Sequence, residues 1–366
     1  MGKEPYKLHW FTPRPTPYND FLFHAIGKDP EIELTVHFGR LTSASYPWKS
    51  TLAQGFCSRV YQTKFGIDWH LVSRAMTDKN SFFIIGGWDE PTTQLLLTIM
   101  GIRQYPFAIW TDTPWLKRGR PFFKGLARST WLRLIFRSAS VVMGTGKPAI
   151  EALTKMGCPK EKLRSFSFFV PLPEIGLLKT NKREPGTNFL ACGRLEEIKG
   201  YDLAIEAFAR AIGLCPDQSS KFIICGEGTQ HSALEAKIRS LGLEGHIALP
   251  GWQEPAEIER HLLLCDAFIH PARWDPFPVA VLEAMAFGKP VLGSDQAGSV
   301  LERVSHKMNG LIHKCGDKEE LAAHMAFVMQ EHGLTKKIGY EARKTAEEWP
   351  VQKGVKIIKE IIKKSA

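Results

Sequence analysis

Two carboxylates, Asp275 and Glu283, stand eight positions apart in the stretch 265–298, which reads CDAFIHPARWDPFPVAVLEAMAFGKPVLGSDQAG. Apolar runs at 267–269 and 290–292 predict strands at its two ends, with a proline-rich loop and a helix between them. The first acid lies where the loop approaches the helix, and the second lies further along the helix. Two acids in this arrangement can serve general acid–base chemistry or accept hydrogen bonds from hydroxyl groups.

Two other junctions in the second half have the residue types of a phosphate site. Gly193 and Arg194 follow an apolar run, and Lys199 stands just before a predicted helix. A guanidinium, an ammonium and the positive end of a helix can converge there on a diphosphate. Gly226 and Glu227 lie in a second glycine-rich turn, CGEG. That turn alone is a weak signal, because such turns occur in many loops.

The elements that would position these groups form two series of alternating strands and helices, which is typical of parallel α/β sheets. A segment rich in proline, glycine and charge at 173–187 separates the series. We predict two Rossmann-like doubly wound domains, one at 1–172 and one at 188–348, that face each other across a cleft. The segment 349–366 predicts a C-terminal helix, which either packs back on the N-terminal domain or contacts a membrane.

Backbone amides and one acid of the first half complete the candidate site. The helix that carries Glu283 is predicted to begin near Pro278, which would turn the amides of Val279 and Ala280 into the cleft. Asp112 follows a predicted strand and precedes a proline, so it is the best catalytic candidate of the first half. No Asp-x-Asp pair follows a strand and no His, Asp and Glu cluster has ligand spacing, so we expect no metal and no other cofactor.

The formal charge of +10 belongs to the first half, where residues 1–172 hold 23 Lys and Arg against 12 Asp and Glu. Much of it lies in 117–137 (KRGRPFFKGLARSTWLRLIFR), from Lys117 to Arg137. Three interpretations of this stretch are a solvated amphipathic helix, a surface for anionic membrane or a phosphate-bearing substrate, and nucleic-acid binding. Nucleic acid is the weakest of the three, and we expect none as a partner.

The remaining composition bears on location. No apolar run approaches the ~20 residues of a membrane-spanning helix, and the first ten residues do not read as a signal peptide. The 7 cysteines are scattered without any Cys-x-x-Cys spacing, which favours a reducing compartment. We therefore expect a cytoplasmic protein, with peripheral attachment to the inner face of the membrane as a further expectation.

The stretches GRLEEIKGYDLAIEAFA, FIICGEGTQHSAL, ALPGWQ and the stretch 265–298 resemble one known family. They are similar to the donor half of the retaining, nucleotide-sugar-dependent glycosyltransferases of the GT-B fold, of the group 1 or family 4 type. The resemblance covers about 188–313, and over 1–170 it extends only to architecture. The paired glutamates of the family, which have seven residues between them, correspond to Asp275 and Glu283, and the resemblance implies that 188–348 is the donor domain and 1–172 the acceptor-side domain.

The resemblance implies transfer of a hexose from a UDP- or GDP-sugar to a hydroxyl of a glycan or lipid-linked acceptor, in cell-envelope polysaccharide or glycolipid synthesis. Arg194 and Lys199 would hold the diphosphate, Asp275 the donor sugar and Glu283 the ribose. The implied catalytic residues are Arg194, Lys199, Asp275 and Asp112, and the implied donor-binding residues are Gly193, Gly226, Glu227, Phe277, Val279, Ala280, Glu283 and Gly298.

The chain departs from this family in four places, one of which is the loop TPRPTPYN at 12–19, where the family usually has a Gly-Gly loop after the first strand. Asp275 is one methylene shorter than the usual Glu, Pro278 replaces the usual Gly and removes an amide donor, and Asp112 and its neighbour stand where a His is common. Each acid also has a structural alternative, since Asp275 could cap a helix and Glu283 could lie on a helix surface. Two other functions stay open: another GT-B sugar-nucleotide enzyme such as an epimerase, and a non-catalytic sugar-nucleotide binder.

Overall fold

The computed structural model describes residues 4–40, 56–60, 66–78, 80–114, 122–174, 186–215 and 219–365. The chain divides into two compact units, which are unit 1 (Met1–Phe169 with Pro350–Ala366) and unit 2 (Val170–Trp349). Most of the predicted linker at 173–187 lies outside the described residues.

Unit 1 is built on a seven-stranded parallel sheet in the order β3-β2-β1-β4-β5-β6-β7. Most residues of its strands β1 and β4 are buried, because helices cover both faces of a parallel sheet. The strands are β1 (Tyr6–Thr12), β2 (Ile32–Phe38), β3 (Cys57–Val60), β4 (Ser81–Gly86), β5 (Phe107–Thr111), β6 (Val141–Gly144) and β7 (Leu163–Ser165). The helices are α1 (Pro17–Gly27), α2 (Trp69–Thr77), α3 (Pro91–Arg103), α4 (Phe122–Ser138), α5 (Gly146–Lys155) and α13 (Val351–Ser365).

Unit 2 holds a six-stranded parallel sheet in the order β10-β9-β8-β11-β12-β13. The strands are β8 (Asn188–Cys192), β9 (Lys221–Cys225), β10 (Ile247–Ala248), β11 (Ala267–His270), β12 (Val291–Ser294) and β13 (Gly310–His313). The helices are α6 (Tyr201–Leu214), α7 (His231–Ser240), α8 (Pro255–Leu264), α9 (Val279–Ala286), α10 (Gly298–Arg303), α11 (Lys318–Gln330) and α12 (His332–Glu347). Both strand orders start in the middle of the sheet and wind outwards in two directions, so the predicted doubly wound α/β class is confirmed.

Helix α13 carries its apolar residues on one face, and that face is buried. Gly354 is required there, because a Cβ at this position would lie 2.6 Å from Cε2 of Phe169 and 3.2 Å from Cδ1 of Leu22. Lys359 on the other face pairs with Asp29 and Glu31. The helix therefore packs within unit 1, and its apolar stripe is not free to enter a membrane.

The sequence did not predict five of these elements, which are β3, α2, β7, α10 and β13. Strand β7 has three residues and β13 has four, so neither gives a clear two-residue periodicity. Thr16 caps α1, because its side chain accepts a hydrogen bond from the Asn19 amide at 3.4 Å. Within the described residues, no helix is long and apolar enough to cross a bilayer.

Candidate functional site: the carboxyl edge of the unit 2 sheet

The candidate residues of the second half lie at one edge of the unit 2 sheet, where β8, β9 and β11 end. Parallel neighbouring strands bring the loops that follow them to the same edge. Cys192 at the end of β8 is in register with Cys225 at the end of β9, so the loops beginning at Gly193 and Gly226 start side by side. The Asp275 loop follows β11, which pairs with β8 on its other side.

Backbone hydrogen bonds join the first two loops directly. The Gly193 amide donates to the Cys225 carbonyl at 3.0 Å, and the Leu195 amide donates to the Glu227 carbonyl at 2.8 Å. A Cβ on Gly226 would collide with the carbonyl of Gly193. The glycines of this turn are thus required by the close approach of two backbones.

Lys199 reaches Asp275 because the loop before α6 is clamped to the loop after β11. Gly200 has a left-handed backbone (φ 70°) and leaves no room for a Cβ beside the carbonyl of Pro271. The Arg273 amide donates to the Ile198 carbonyl at 2.8 Å. Lys199 Nζ consequently lies against Oδ2 of Asp275, and the structure brings these two predicted residues together.

Asp275 is a buried carboxylate with two cationic or donor neighbours. Its side chain is 8% exposed, and its Oδ2 contacts both Lys199 and Nε2 of His270, the latter at 3.2 Å. Burial by itself would raise the pKa of Asp275, but the His270 hydrogen bond and the charge of Lys199 lower it to about 2. The group is therefore ionised at neutral pH and can accept hydrogen bonds, but it is a poor general acid. Asp275 precedes α9 by a proline-rich loop and does not cap it, because the N-cap is Pro278.

Glu283 lies on α9 with buried neighbours on both sides in the chain, Leu282 and Ala284. Burial, reinforced by the negative charge of Glu259, raises the pKa of Glu283 to about 7. Burial and the nearby charges of Cys225 and Glu283 also raise the pKa of the Cys192 thiol. The acid is thus close to the end of β8 and is not an ordinary surface residue.

The other predicted donor-binding residues have different surroundings. Arg194 and Glu227 are exposed, whereas Phe277 is buried. Helix α9 begins at Val279 and continues through Ala280, with Pro278 as its N-cap, as predicted. Gly298 holds the last loop in place, since its amide donates to the Asp275 carbonyl at 2.9 Å and a Cβ there would collide with Pro276.

Asp112 belongs to unit 1 and follows β5, as the sequence predicts. It is exposed, and its Oδ1 accepts a hydrogen bond from Thr145 Oγ1 at 3.2 Å. Thr145 follows β6, the neighbouring strand. The residue therefore lies at the carboxyl edge of the unit 1 sheet, which is the edge where sheets of this class bind ligands.

Sequence reasoning missed two residues of the unit 2 site. His270 is the last residue of β11. The available signal was its position, because a polar residue at the end of an apolar strand, followed after one loop by an acid, is a candidate site residue. Tyr201 begins α6, and a Cβ on Gly193 would lie 2.7 Å from its hydroxyl oxygen. That hydroxyl is buried and has no hydrogen-bond partner among the described residues.

Residues 178–345 match the family described as Glycosyl transferases group 1. This segment is a group 1 glycosyltransferase domain. It contains the whole edge described above, from Gly193 to Gly298, so the residues of the site are residues of the glycosyltransferase domain.

Relatives and solved structures agree with this assignment. The amylovoran biosynthesis glycosyltransferase AmsK of Erwinia amylovora is 31% identical over 179 residues, and the match covers 47% of this chain and 43% of AmsK. The lipopolysaccharide core biosynthesis glycosyltransferase LpsE of Rhizobium meliloti is 23% identical over 255 residues, 67% of this chain and 72% of LpsE. The chain thus spans less than half of AmsK.

The crystal structure of Anabaena HepE in complex with UDP aligns with a TM-score of 0.75 over 98% of this chain and 100% of that chain, at 20% identity. A likeness at this identity establishes the fold, and the fold of the chain is GT-B.

Proposed function

We propose that the chain is a retaining glycosyltransferase that moves a hexose from a nucleotide-diphosphate sugar to a hydroxyl of a glycan or lipid-linked acceptor. The observation that carries the proposal is the contact of Lys199 with Asp275 at the strand ends of a group 1 domain. An ammonium and a carboxylate held side by side there suit a ligand that has a diphosphate next to a polyhydroxylated ring.

In the proposed reaction the bond between the anomeric carbon and the diphosphate breaks, and the acceptor oxygen takes its place on the same face of the sugar. The electrons of the broken bond go to the diphosphate, where Lys199 and Arg194 stabilise the new charge. Asp275 accepts hydrogen bonds from hydroxyls of the donor sugar, and Glu283 accepts them from the ribose. The proton of the acceptor hydroxyl passes to an oxygen of the departing diphosphate as the new bond forms, and Asp112 is the proposed acceptor-side contact.

A UDP-hexose is the donor that we propose. HepE, which shares the fold over almost the whole chain, has been solved with UDP, with UDP and glucose, and with UDP-glucose. AmsK and LpsE are named for the biosynthesis of amylovoran and of lipopolysaccharide core. These names support an envelope polysaccharide or glycolipid as the acceptor class.

The test is donor turnover by matched variants. Lys199→Ala and Glu283→Ala are expected to abolish release of UDP from UDP-glucose in the presence of acceptor extracts, while circular dichroism and the melting temperature stay near those of the wild type. Lys237→Ala is the control, because Lys237 makes a surface ion pair with Glu206 in the same unit. Wild-type release of UDP by the Lys199 and Glu283 variants would contradict the proposal. Transfer is also expected to continue in EDTA, because Lys199 and Arg194 supply the positive charge that we propose for the diphosphate.

We also propose that α4 rests on an anionic membrane that presents the acceptor. Its outer face exposes Leu126 and Leu134 (57% each) beside the exposed Arg133 and Arg137, a combination typical of interfacial helices. The segment 115–121, which contains Lys117, lies outside the described residues.

Vesicle co-sedimentation tests this surface. The double variant Arg133→Glu/Arg137→Glu is expected to release the protein from phosphatidylglycerol vesicles at low salt. The control Lys336→Glu/Lys337→Glu makes the same charge change on exposed residues of α12 and is expected to stay bound. Equal binding by both double variants would contradict a role for α4.

A further inference from the structure

His270 is placed to act on Asp275 and on no other described side chain. It ends β11 with its side chain 4% exposed, and its Nε2 lies 3.2 Å from Oδ2 of Asp275. Its second ring nitrogen, Nδ1, is buried and has no hydrogen-bond partner among the described residues. Most buried polar atoms are satisfied, so a histidine that served only to fill the core would be a poor choice here.

The two partners of Asp275 differ in what a bound donor would do to them. Lys199 carries a mobile ammonium, and a diphosphate at the edge would compete with Asp275 for it. The imidazole of His270 sits on a strand and is packed in the interior. When Lys199 turns to the diphosphate, His270 is the partner that keeps Asp275 in place.

Both side-chain contacts of Asp275 within the described residues fall on Oδ2. The other oxygen, Oδ1, is therefore the one left to accept a hydrogen bond from a ligand. Because Asp275 is one methylene shorter than Glu, the position of its carboxylate depends strongly on what holds the first oxygen.

We propose that His270 is a positioning residue that holds Oδ2 of Asp275, so that Oδ1 receives a hydroxyl of the donor sugar. The proposal rests on the proposed function, since it presumes a sugar at this carboxylate. It adds a residue to the predicted acids, Asp275 and Glu283, and to the predicted cations, Arg194 and Lys199. It also assigns separate roles to the two carboxylate oxygens of Asp275.

Three substitutions of one residue give the test. In His270→Gln the side-chain amide nitrogen falls near the position of Nε2, and in His270→Asn it falls near that of Nδ1. His270→Phe fills the space without a donor. We expect kcat/KM for UDP-glucose to fall about ten- to a hundredfold in the Phe and Asn variants, and the Gln variant to recover most of the loss. Similar losses in the Gln and Asn variants would overturn the proposal, whether or not the Phe variant is well folded.

Ligand binding separates positioning from a general disturbance of the site. Titration calorimetry is expected to give the Phe variant a Kd for UDP within about twofold of the wild type, because UDP has no hexose to reach Asp275. The extra affinity that the wild type gains from the hexose of UDP-glucose is expected to be lost. An equal loss of affinity for UDP and UDP-glucose would count against the proposal.

A measurement without substrate distinguishes the failure of this inference from the failure of the proposed function. Carboxyl carbon NMR of the ligand-free protein reports the titration of Asp275. We expect its midpoint to rise in His270→Phe and to return towards the wild-type value in His270→Gln. An unchanged midpoint in His270→Phe would show that His270 does not act on Asp275, even if donor transfer is confirmed. If the wild type neither binds nor turns over UDP-glucose, the proposed function fails while the NMR result still decides the contact.

Discussion

The two units of this protein differ in the contacts of their buried histidines and of their left-handed glycines. In unit 2, His270 contacts the carboxylate of Asp275, which also pairs with Lys199, whereas in unit 1 Nδ1 of His9 lies 2.9 Å from Nε2 of another histidine, His37. The left-handed Gly200 of unit 2 is pressed against a carbonyl, whereas the left-handed Gly87, which follows β4 in unit 1, has no atom within 4 Å of an added Cβ. The edge of unit 2 is thus fixed by close backbone contacts around charged groups.

This difference explains why family motifs are dense in one half and sparse in the other. A loop that must pass within van der Waals contact of another backbone admits only glycine, so its sequence is narrowly restricted. A loop in open space admits many residues. Unit 2 therefore has recognisable stretches, and unit 1 is recognisable only by its architecture.

The two candidate acids give the largest expected contrast. Asp275→Asn is expected to lower kcat/KM for UDP-glucose by a hundredfold or more, because it removes a buried charge that pairs with Lys199. Asp112→Asn is expected to lower it by about tenfold and to act mainly on the KM of the acceptor, because Asp112 is exposed and lies in the other unit. Steady-state kinetics with both substrates varied makes the measurement. A larger loss of kcat/KM for Asp112→Asn than for Asp275→Asn would contradict the assignment of the charged groups that act on the donor to unit 2.

The two left-handed glycines test the tightness of each edge. Gly87→Ala should lose about 1 kcal/mol of stability, from the strain of the backbone alone. Gly200→Ala should lose roughly 3 kcal/mol, because the new Cβ meets the Pro271 carbonyl in addition. The φ values, 75° and 70°, are nearly equal, so the difference isolates the close approach. Urea unfolding measures both changes. Equal losses of unfolding free energy would show that the backbone at Gly200 can move away from the Pro271 carbonyl and accommodate a Cβ.

The histidine pair makes unit 1 sensitive to acid. Burial and the charge of Arg74 lower the pKa of His9 to about 4, and burial and the neighbouring His9 lower that of His37 to about 3. Since an unfolded histidine binds its proton near pH 6.5, the unfolded state takes up more protons as the pH falls below that value. The free energy of unfolding should drop by up to about 2 kcal/mol for each histidine between pH 7 and pH 5.

Denaturation at several pH values measures this slope, and His37→Gln is the matched variant because it removes one of the two titrating groups. The variant should show a flatter dependence below pH 6.5 than the wild type. Asp78, whose Oδ2 is 3.7 Å from Nε2 of His9, opposes the effect by favouring the protonated ring. Equal slopes for the wild type and His37→Gln between pH 7 and pH 5 would contradict the contribution of His37 to the acid sensitivity.

Glu283 gives the smallest effect, on donor binding. Its pKa of about 7 means that a sizeable fraction is protonated near neutral pH, and a carboxylate accepts ribose hydroxyls better than a carboxylic acid does. The affinity for UDP-glucose should therefore rise severalfold, and less than tenfold, from pH 6 to pH 7.5. Glu283→Gln should lose this dependence. UDP-glucose is the right probe because its diphosphate does not titrate in this range, and an affinity that falls with pH would contradict the ribose contact.

The sequence predicted the fold class and the local setting of most site residues for identifiable reasons. Asp275 and Glu283 were placed on a loop and a helix because apolar strands and Pro278 delimit both. Lys199 was placed at a helix start, where it lies within a short turn that Gly200 ends. Their roles in binding and catalysis stay predictions.

The side-chain partners could not be predicted in the same way. The contact of His270 with Asp275 depends on how the loop after β11 folds back, which in turn depends on Gly298 and Ala297 approaching from the loop after β12. His270 and Asp275 are close in sequence, but the path of the loop between them is set by a segment more than twenty positions further along the chain, which the loop's own sequence does not reveal.

Helix α13 has a consequence for the order of synthesis. It completes unit 1, yet positions 351–365 follow all of unit 2 in the chain. The ribosome therefore releases every residue of unit 2 before unit 1 has its final helix, so the half that is made first is the half that can finish folding last. Until then the seat of α13, which includes Phe169 and Leu22, stays open to solvent and to chaperones.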